Sequence, residues 1–240
     1  GDRPQRFEAI LAEHQQLADQ VIATGQVVGM AVAIVKDGKV ASAKARGVLD
    51  ASTLEPAGNA SAFRIASLSK AFASALAARL VEERYLEWDE PVQQLVPSFE
   101  LSDARQASRL TIRELLSQRT GLPYNALDKT LEASDESYPL LVWRLRSQPM
   151  ICPVGACYAY QNVAYSVIGD ITFASTGDFF TDEVVRQIFL PLGMQRASFG
   201  LEVVRHLLPR LRANEDLARL GQAPQARCRV HRVTGQAVVP

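Results

Sequence analysis

The sequence predicts an α+β protein in which a helix and a β-hairpin are followed by a helical body. Two extended runs, residues 28–36 and 39–46, flank Asp37-Gly38, and this arrangement is a strong hairpin signal. From Ser67 onward apolar residues recur at helical spacing, and no further strand is convincing until the last residues. A two-stranded hairpin is marginal alone, so we expect the opening helix, or strands from outside this chain, to cover it.

The opening helix is predicted from its apolar face. Apolar residues share one helical face from Phe7 to Ile22, and Gly25 is the usual residue type just beyond a helix end. After the hairpin, a loop rich in small and polar residues leads to an Ala- and Leu-rich helix over residues 67–84. The chain therefore changes in kind near residue 60.

Three more helices are predicted in the body. A capping box over residues 111–114 opens a short helix that must end near Gly121. Helical spacing over residues 165–175 ends before Gly177, and a helix over residues 181–189 is stopped by Pro191. Residues 204–232 are interpreted as an amphipathic helical segment with solvated arginines.

Composition excludes several functional classes. The chain is 48% hydrophobic and 22% charged, and its 26 Lys and Arg residues balance 26 Asp and Glu residues. A net charge of zero removes the basic field on which nucleic-acid binding depends. The longest apolar run, residues 27–35, is far shorter than the ~20 residues that cross a bilayer. We therefore expect no nucleic-acid partner and no membrane span.

The cysteines and histidines indicate no metal site. Three of each occur in the chain, without the spacing of metal ligands. Cys152 and Cys157 enclose a tight Cys-Pro-Val-Gly-Ala-Cys turn, so they form either a local disulfide or two free thiols, of which the thiols are favoured. A disulfide would indicate an exported protein, periplasmic or secreted.

The pattern Ser67-x-x-Lys70 lies where the helix over residues 67–84 begins. Residues at i and i+3 share a helix face, so the hydroxyl and the amine lie within hydrogen-bond reach. A serine becomes a nucleophile when a base takes its proton, and a lysine can be that base where a dry pocket favours the neutral amine. The alternative interpretation is an N-cap serine with a solvated lysine.

A second pattern, Tyr160-x-Asn162, precedes the helix over residues 165–175. A phenol beside a lysine can relay protons between nucleophile and leaving group, and a carboxamide can hold both the lysine and a substrate amide. The alternatives are an aromatic side chain packed at a helix start and an N-cap asparagine. The chemistry of this pattern complements that of Ser67-x-x-Lys70.

Several stretches together resemble the serine β-lactamase and penicillin-binding-protein superfamily, in its branch of class C β-lactamases, D-aminopeptidases and esterases. They follow the order of that family over roughly residues 28 to 200. The matching stretches are the hairpin 32–40, the nucleophile segment 63–70, the segments 86–92 and 95–97, the helix and turn 110–116 and 120–123, and the structural tag 191–194.

The resemblance implies a β-lactamase/transpeptidase-like fold, with a helical subdomain packed on an antiparallel sheet of which mainly the first hairpin is in this chain. Residues 1–60 would be the N-terminal helix and hairpin of the α/β part, and residues 61–200 the helical subdomain. Residues 201–240 would start the return towards the sheet and be truncated there.

The resemblance also implies a serine hydrolase that acts on an amide or ester through an acyl-enzyme, without a metal or organic cofactor. Ser67 would be the nucleophile, with its backbone N–H forming half of the oxyanion hole. Lys70 would be its base partner, Tyr160 the proton relay, and Asn162 a contact for the lysine and the substrate. The substrate would be a small molecule or a peptide: a β-lactam, a D-amino-acid peptide or a small ester.

Two departures from the family pattern affect these expectations. The strand motif Lys-Thr-Gly or His-x-Gly, which lines the site in relatives, has no convincing counterpart, and Val233-Thr234-Gly235 is interpreted as a local turn. Gln118 stands where many relatives have His, and it is interpreted as a structural position at a helix end. The missing strand leaves open a second polypeptide that supplies it, a non-catalytic binding or scaffold protein, or a fragment that is inactive without its C-terminal strands.

Overall fold

The computed structural model of the protein describes residues 2–133 and 136–200. These residues belong to two compact units that divide between Arg64 and Ile65, a little beyond the boundary predicted at residue 60. The predicted segment 201–240, with its amphipathic stretch 204–232 and the turn at Val233-Thr234-Gly235, lies outside the described residues.

The first unit consists of a long helix and a β-hairpin. Helix α1 spans Asp2–Ala23, and strand β1 (Gly29–Lys36) pairs antiparallel with β2 (Lys39–Gly47). The turn residues Asp37 and Gly38 have φ angles of 50° and 72°, and both are positive, as a two-residue type I′ turn requires. The predicted opening helix and hairpin are confirmed.

Polar contacts join α1 to β2. Lys44 Nζ donates to Gln15 Oε1 at 2.8 Å, and the Arg46 guanidinium pairs with the Asp19 carboxylate. The helix therefore holds the hairpin within this unit, which is one of the two coverings that the sequence left open.

The described part of the second unit consists of short helices joined by turns and irregular segments, with one isolated antiparallel bridge between Pro91 and Thr111. A short 3₁₀ turn (Ala66–Leu68) leads into the first of its α-helices. These helices are α2 (Ser69–Glu82), α3 (Val92–Leu95), α4 (Ala104–Ala107), α5 (Ile112–Leu116), α6 (Asp128–Ala133), α7 (Tyr138–Arg144), α8 (Ile168–Thr176) and α9 (Phe180–Val184). A π-helical turn, Val185–Phe189, continues α9.

The start of α5 and the end of α8 are formed by the residues predicted for them. Thr111 Oγ1 accepts a hydrogen bond from the Glu114 N–H, and the Glu114 carboxylate accepts one from the Thr111 N–H, each at 3.3 Å. This is the predicted capping box, and it starts α5. Helix α8 ends at Gly177, whose φ of 81° is a left-handed conformation that glycine adopts at little cost.

The core of the second unit is built on one face of α2. Fully buried side chains recur on this helix at the i, i+3, i+4 and i+7 spacing of a single face; they are Ala73, Leu76, Ala77 and Leu80. Helix α2 packs against α9 and the turn that follows it. Burial of this face holds α2 in place, and with it the first turn that carries Lys70.

The described helices give no indication of a membrane span. Within residues 2–133 and 136–200, none of them combines the length and the apolar content that crossing a bilayer requires.

Candidate active site

Ser67 lies in the 3₁₀ turn before α2, where its side chain is exposed. The N-cap of α2 is Leu68, so Ser67 does not cap that helix. The preceding residue, Ala66, has a φ of 45°, a left-handed conformation that costs a non-glycine residue on the order of 1 kcal/mol. Such strain persists only where the surrounding structure enforces it, and here it accompanies an outward-facing hydroxyl.

Lys70 is buried beneath Ser67, with a relative exposure of 8%. Its Nζ lies 3.4 Å from Ser67 Oγ and donates to Asn162 Oδ1 at 2.7 Å. The amine also lies 4.9 Å from the ring centre of Tyr160 and 5.5 Å from that of Tyr165. The amine is thus held between aromatic faces with one polar anchor, within reach of the serine.

Tyr160 completes the contacts of the serine hydroxyl. Its O–H donates to Ser67 Oγ at 2.6 Å, and its carbonyl accepts from the Asn125 N–H at 2.8 Å. Two side chains capable of proton transfer therefore meet at Ser67 Oγ. The structure brings together Ser67, Lys70, Tyr160 and Asn162, all four side chains singled out from the two sequence patterns.

Two further residues hold these groups and carry no sequence signal that we recognised. Asp128, at the start of α6, accepts from Asn162 Nδ2 at 2.7 Å. Tyr165 O–H donates to the Lys70 carbonyl at 2.9 Å and lies 2.9 Å from Ser74 Oγ. Burial raises the pKa of the Tyr165 phenol, against a smaller lowering by Ser74, so this phenol stays a protonated donor. Its spacing of three residues from Asn162 could have suggested it.

Gln118 fixes the backbone between Tyr160 and Asn162. Its Oε1 accepts from the Gln161 N–H at 2.7 Å, and its Nε2 donates to the Gln161 carbonyl at 3.2 Å. The Gln118 carbonyl also accepts from the Ala159 N–H at 3.0 Å. The side chain lies beyond the end of α5, where the sequence placed a structural residue, and its amide bonds the loop that presents both site residues.

A disulfide joins Cys152 and Cys157, whereas the sequence favoured two free thiols. The loop that it closes packs on the turn after α5: the Ile151 N–H donates to the Gly121 carbonyl at 2.9 Å, and a Cβ at Gly121 would collide with the Cys152 carbonyl. Only glycine fits there. The disulfide-bonded loop therefore packs on the turn that carries Gln118, which lies three residues before Gly121.

In the part of the chain that the structure describes, no three His, Cys, Asp or Glu side chains are grouped so that they could hold a metal ion. The chemistry available to the described site is that of a hydroxyl, an amine, a phenol and a carboxamide. These groups suit nucleophilic acyl transfer.

Comparison with protein families identifies the family that the sequence motifs resemble. A family model described as Beta-lactamase matches residues 14–218. The chain belongs to the beta-lactamase family. The motifs resembled this family of serine hydrolases, and both the family and the β-lactamase-like α+β fold are confirmed.

The relatives of this beta-lactamase-family chain match it over only about half of their own length. Penicillin-binding protein 4 of Amycolatopsis lactamdurans is 29% identical over 195 residues, which cover 80% of this chain and 47% of that protein. EstCE1, a hydrolase with promiscuous acyltransferase activity, matches with a TM-score of 0.67 at 25% identity, over 78% of this chain and 52% of its own. The D-amino acid amidase from Ochrobactrum anthropi SV3, in complex with L-phenylalanine, matches with a TM-score of 0.62 at 26% identity, over 75% and 51%. The chain therefore spans about half the length of these relatives.

Proposed function

We propose that the chain carries the acylation machinery of a serine hydrolase that opens an amide or ester bond through an acyl-enzyme. One observation carries the proposal: Ser67 Oγ accepts a hydrogen bond from the Tyr160 phenol at 2.6 Å and lies 3.4 Å from Lys70 Nζ. Hydrogen-bond reach between a nucleophile and its proton acceptor is the geometric requirement for activating a serine.

The proposed reaction begins with Lys70 as a neutral amine. Ser67 Oγ bonds to the substrate carbonyl carbon while its proton passes to Lys70 Nζ, and the carbonyl electron pair moves to the oxygen. The backbone N–H of Ser67 is the proposed first donor to this oxyanion. When the intermediate collapses, the leaving group takes a proton from Tyr160, which regains one from the Lys70 ammonium.

Hydrolysis of the acyl-enzyme would use the same groups in reverse. Water gives a proton to Tyr160 or Lys70 as its oxygen attacks the ester carbon, and Ser67 leaves with a proton returned to it. Asn162 would hold Lys70 through Oδ1, and its second Nδ2 hydrogen, beyond the one donated to Asp128, would contact a substrate carbonyl. No metal or organic cofactor enters these steps.

The proposed substrate is a small molecule or a peptide: a β-lactam, a D-amino-acid peptide or a small ester. All three are acylated by one mechanism and differ in the shape of the pocket that receives them. The similarity to a D-amino acid amidase and to the hydrolase EstCE1 supports an amide or ester substrate. The disulfide supports export, so we propose a periplasmic or secreted protein.

A non-catalytic role is the second candidate, and one observation favours it. The chain spans only 47% of penicillin-binding protein 4 of Amycolatopsis lactamdurans, so the rest of an active site would have to come from further residues or from a second polypeptide. In this alternative the protein serves in binding or as a scaffold, or the chain is inactive without the residues or the second polypeptide that complete the site.

Covalent labelling of Ser67 distinguishes the two candidates. The full-length protein is incubated with a fluorophosphonate, and separately with a penicillin, and the adduct is located by mass spectrometry. We expect one adduct on Ser67, its loss in Ser67→Ala, and its retention in Ser117→Ala, which removes an exposed serine at the end of α5. No adduct on the wild-type protein, or equal labelling of Ser67→Ala, rejects the hydrolase and favours the non-catalytic role.

A further inference from the structure

The Asn162 carboxamide is held at both ends. Its Oδ1 accepts from Lys70 Nζ at 2.7 Å, and its Nδ2 donates to Asp128 Oδ2 at 2.7 Å. Asp128 is buried, with a relative exposure of 9%, so its carboxylate acts on the amide where water screens little. Lys70, Asn162 and Asp128 thus form a continuous hydrogen-bonded chain that ends beneath Ser67.

The two ends of a carboxamide have almost the same shape and opposite hydrogen-bonding character. An amide can therefore rotate by half a turn about its last bond unless its neighbours distinguish the oxygen from the NH₂ group. A carboxylate has acceptors only, so Asp128 takes the NH₂ end. The oxygen end of Asn162 is then the one that faces Lys70.

The orientation of Asn162 decides whether Lys70 can act as a base. A neutral lysine amine has two N–H donors and one lone pair. With Oδ1 facing it, one N–H is bound and the lone pair stays available for the Ser67 proton. In the rotated amide, the Asn162 NH₂ would donate to that lone pair and remove the base from the reaction.

The backbone before Asp128 is strained in a way that matches this role. Leu127 has a φ angle of 65°, in the left-handed region that such residues rarely adopt and that is concentrated near active sites. Asn125, with a φ of 54°, is of a residue type that adopts this region more readily. The Asp128 N–H donates to the Asn125 carbonyl at 3.1 Å, and the Asn125 N–H donates to the Tyr160 carbonyl at 2.8 Å. The same turn therefore positions Asp128 and holds the backbone of Tyr160.

We propose that Asp128 is a positioning residue that fixes the Asn162 amide with its oxygen towards Lys70 and so keeps the lysine lone pair free for Ser67. The inference rests on the proposed function, because it concerns the base of that reaction. In this proposal Asp128 acts on the reaction through its hydrogen bond with Asn162.

The test compares rates of Ser67 labelling by a fluorophosphonate in the full-length protein. Asp128→Asn is nearly isosteric but offers a donor as well as an acceptor, so both amides can rotate together. We expect labelling to slow by about 10- to 100-fold, the effect of losing a hydrogen bond to a charged group. Asp89→Asn, which removes an exposed carboxylate paired with Arg113, is the matched control and should label at the wild-type rate.

Two further variants separate orientation from packing. In an Asn162→Ala background, Asp128→Asn should cause no additional slowing of labelling, because the amide that Asp128 orients is gone. Asp128→Glu keeps an acceptor-only carboxylate and should label faster than Asp128→Asn, although it fits the space less well. A structural role predicts additive losses and the opposite order of the two Asp128 variants.

The outcomes also separate this inference from the proposed function. Ser67 labelling in the wild-type protein with an unchanged rate in Asp128→Asn overturns the positioning role and leaves the hydrolase intact. Additive losses in the double variant overturn it equally. No Ser67 labelling in the wild-type protein removes the proposed function and this inference with it.

Discussion

Replacing Tyr160 by Phe tests the proton relay with little other disturbance. The variant removes the O–H that donates to Ser67 Oγ at 2.6 Å. It keeps the ring that lies 4.9 Å from Lys70 Nζ and 6.1 Å from the Tyr124 ring centre. The backbone bond to Asn125 also stays. A change in rate can therefore be assigned to the missing hydroxyl.

The expected loss follows from what the hydroxyl does in the proposed reaction. A positioned general acid or base contributes about 10²- to 10⁴-fold, so acylation should fall by about 10²-fold or more, which corresponds to at least ~2.7 kcal/mol in the activation free energy. Binding of the ester should change little, because the exposed serine and its surroundings keep their shape. The loss should appear in the maximal acylation rate.

Time-resolved intact-mass measurement of Ser67 acylation by an activated ester, over a range of ester concentrations, gives that rate. Tyr158→Phe is the matched control, since Tyr158 lies two residues away and is 67% exposed; it should acylate as the wild type does. A maximal rate for Tyr160→Phe within about threefold of the wild-type rate would refute the relay, since a general acid or base contributes far more.

Two predictions concern stability. Leu76 is fully buried in the core face of α2, so Leu76→Ala should lower the free energy of unfolding, measured in urea, by about 3 kcal/mol. The control Leu190→Ala changes a residue that is 70% exposed and should alter this free energy by less than ~0.5 kcal/mol. Equal effects of the two variants would contradict the described core. Burial raises the pKa of Asp170 above 3.8, partly offset by the hydrogen bond from Tyr138, so the folded state holds this proton more tightly than the unfolded chain. The free energy of unfolding should therefore fall as pH rises from below 3.8 through the pKa of Asp170 in the folded state. Asp170→Asn should lack the part of this fall that Asp170 causes. Identical pH profiles of unfolding for the wild type and Asp170→Asn would contradict the raised pKa.

Features set by residues close together along the chain could be predicted. The hairpin turn needs positive φ at two adjacent positions, and Asp37-Gly38 supplies them. The capping box needs Thr111 and Glu114, three residues apart. The spacing of Ser67 and Lys70 on one helix face likewise follows from helical geometry. In each case, the physical cause lies within one turn of chain.

Features that depend on distant segments could not be predicted in this way. Asp128 meets Asn162 across 34 residues of sequence, and Tyr165 O–H reaches the Lys70 carbonyl across 95. Aspartate and tyrosine are common; Asp128 lies in no recognisable pattern, and Tyr165 is marked only by its spacing of three residues from Asn162. The bond between Cys152 and Cys157 depends on the path of the backbone, which their spacing alone does not fix. Tertiary contacts decided each of these.

The amide of Gln118 holds the loop of Tyr160 and Asn162 with groups that do not titrate. It binds the N–H and the carbonyl of Gln161 together, which requires one donor and one acceptor on the same side chain. A neutral histidine at this position would also have one donor and one acceptor, but it would lose the acceptor when protonated near pH 6.5. The glutamine amide does not titrate, so its donor and its acceptor to Gln161 both remain when the pH falls below 6.5. The backbone N–H that it needs also bars proline from position 161.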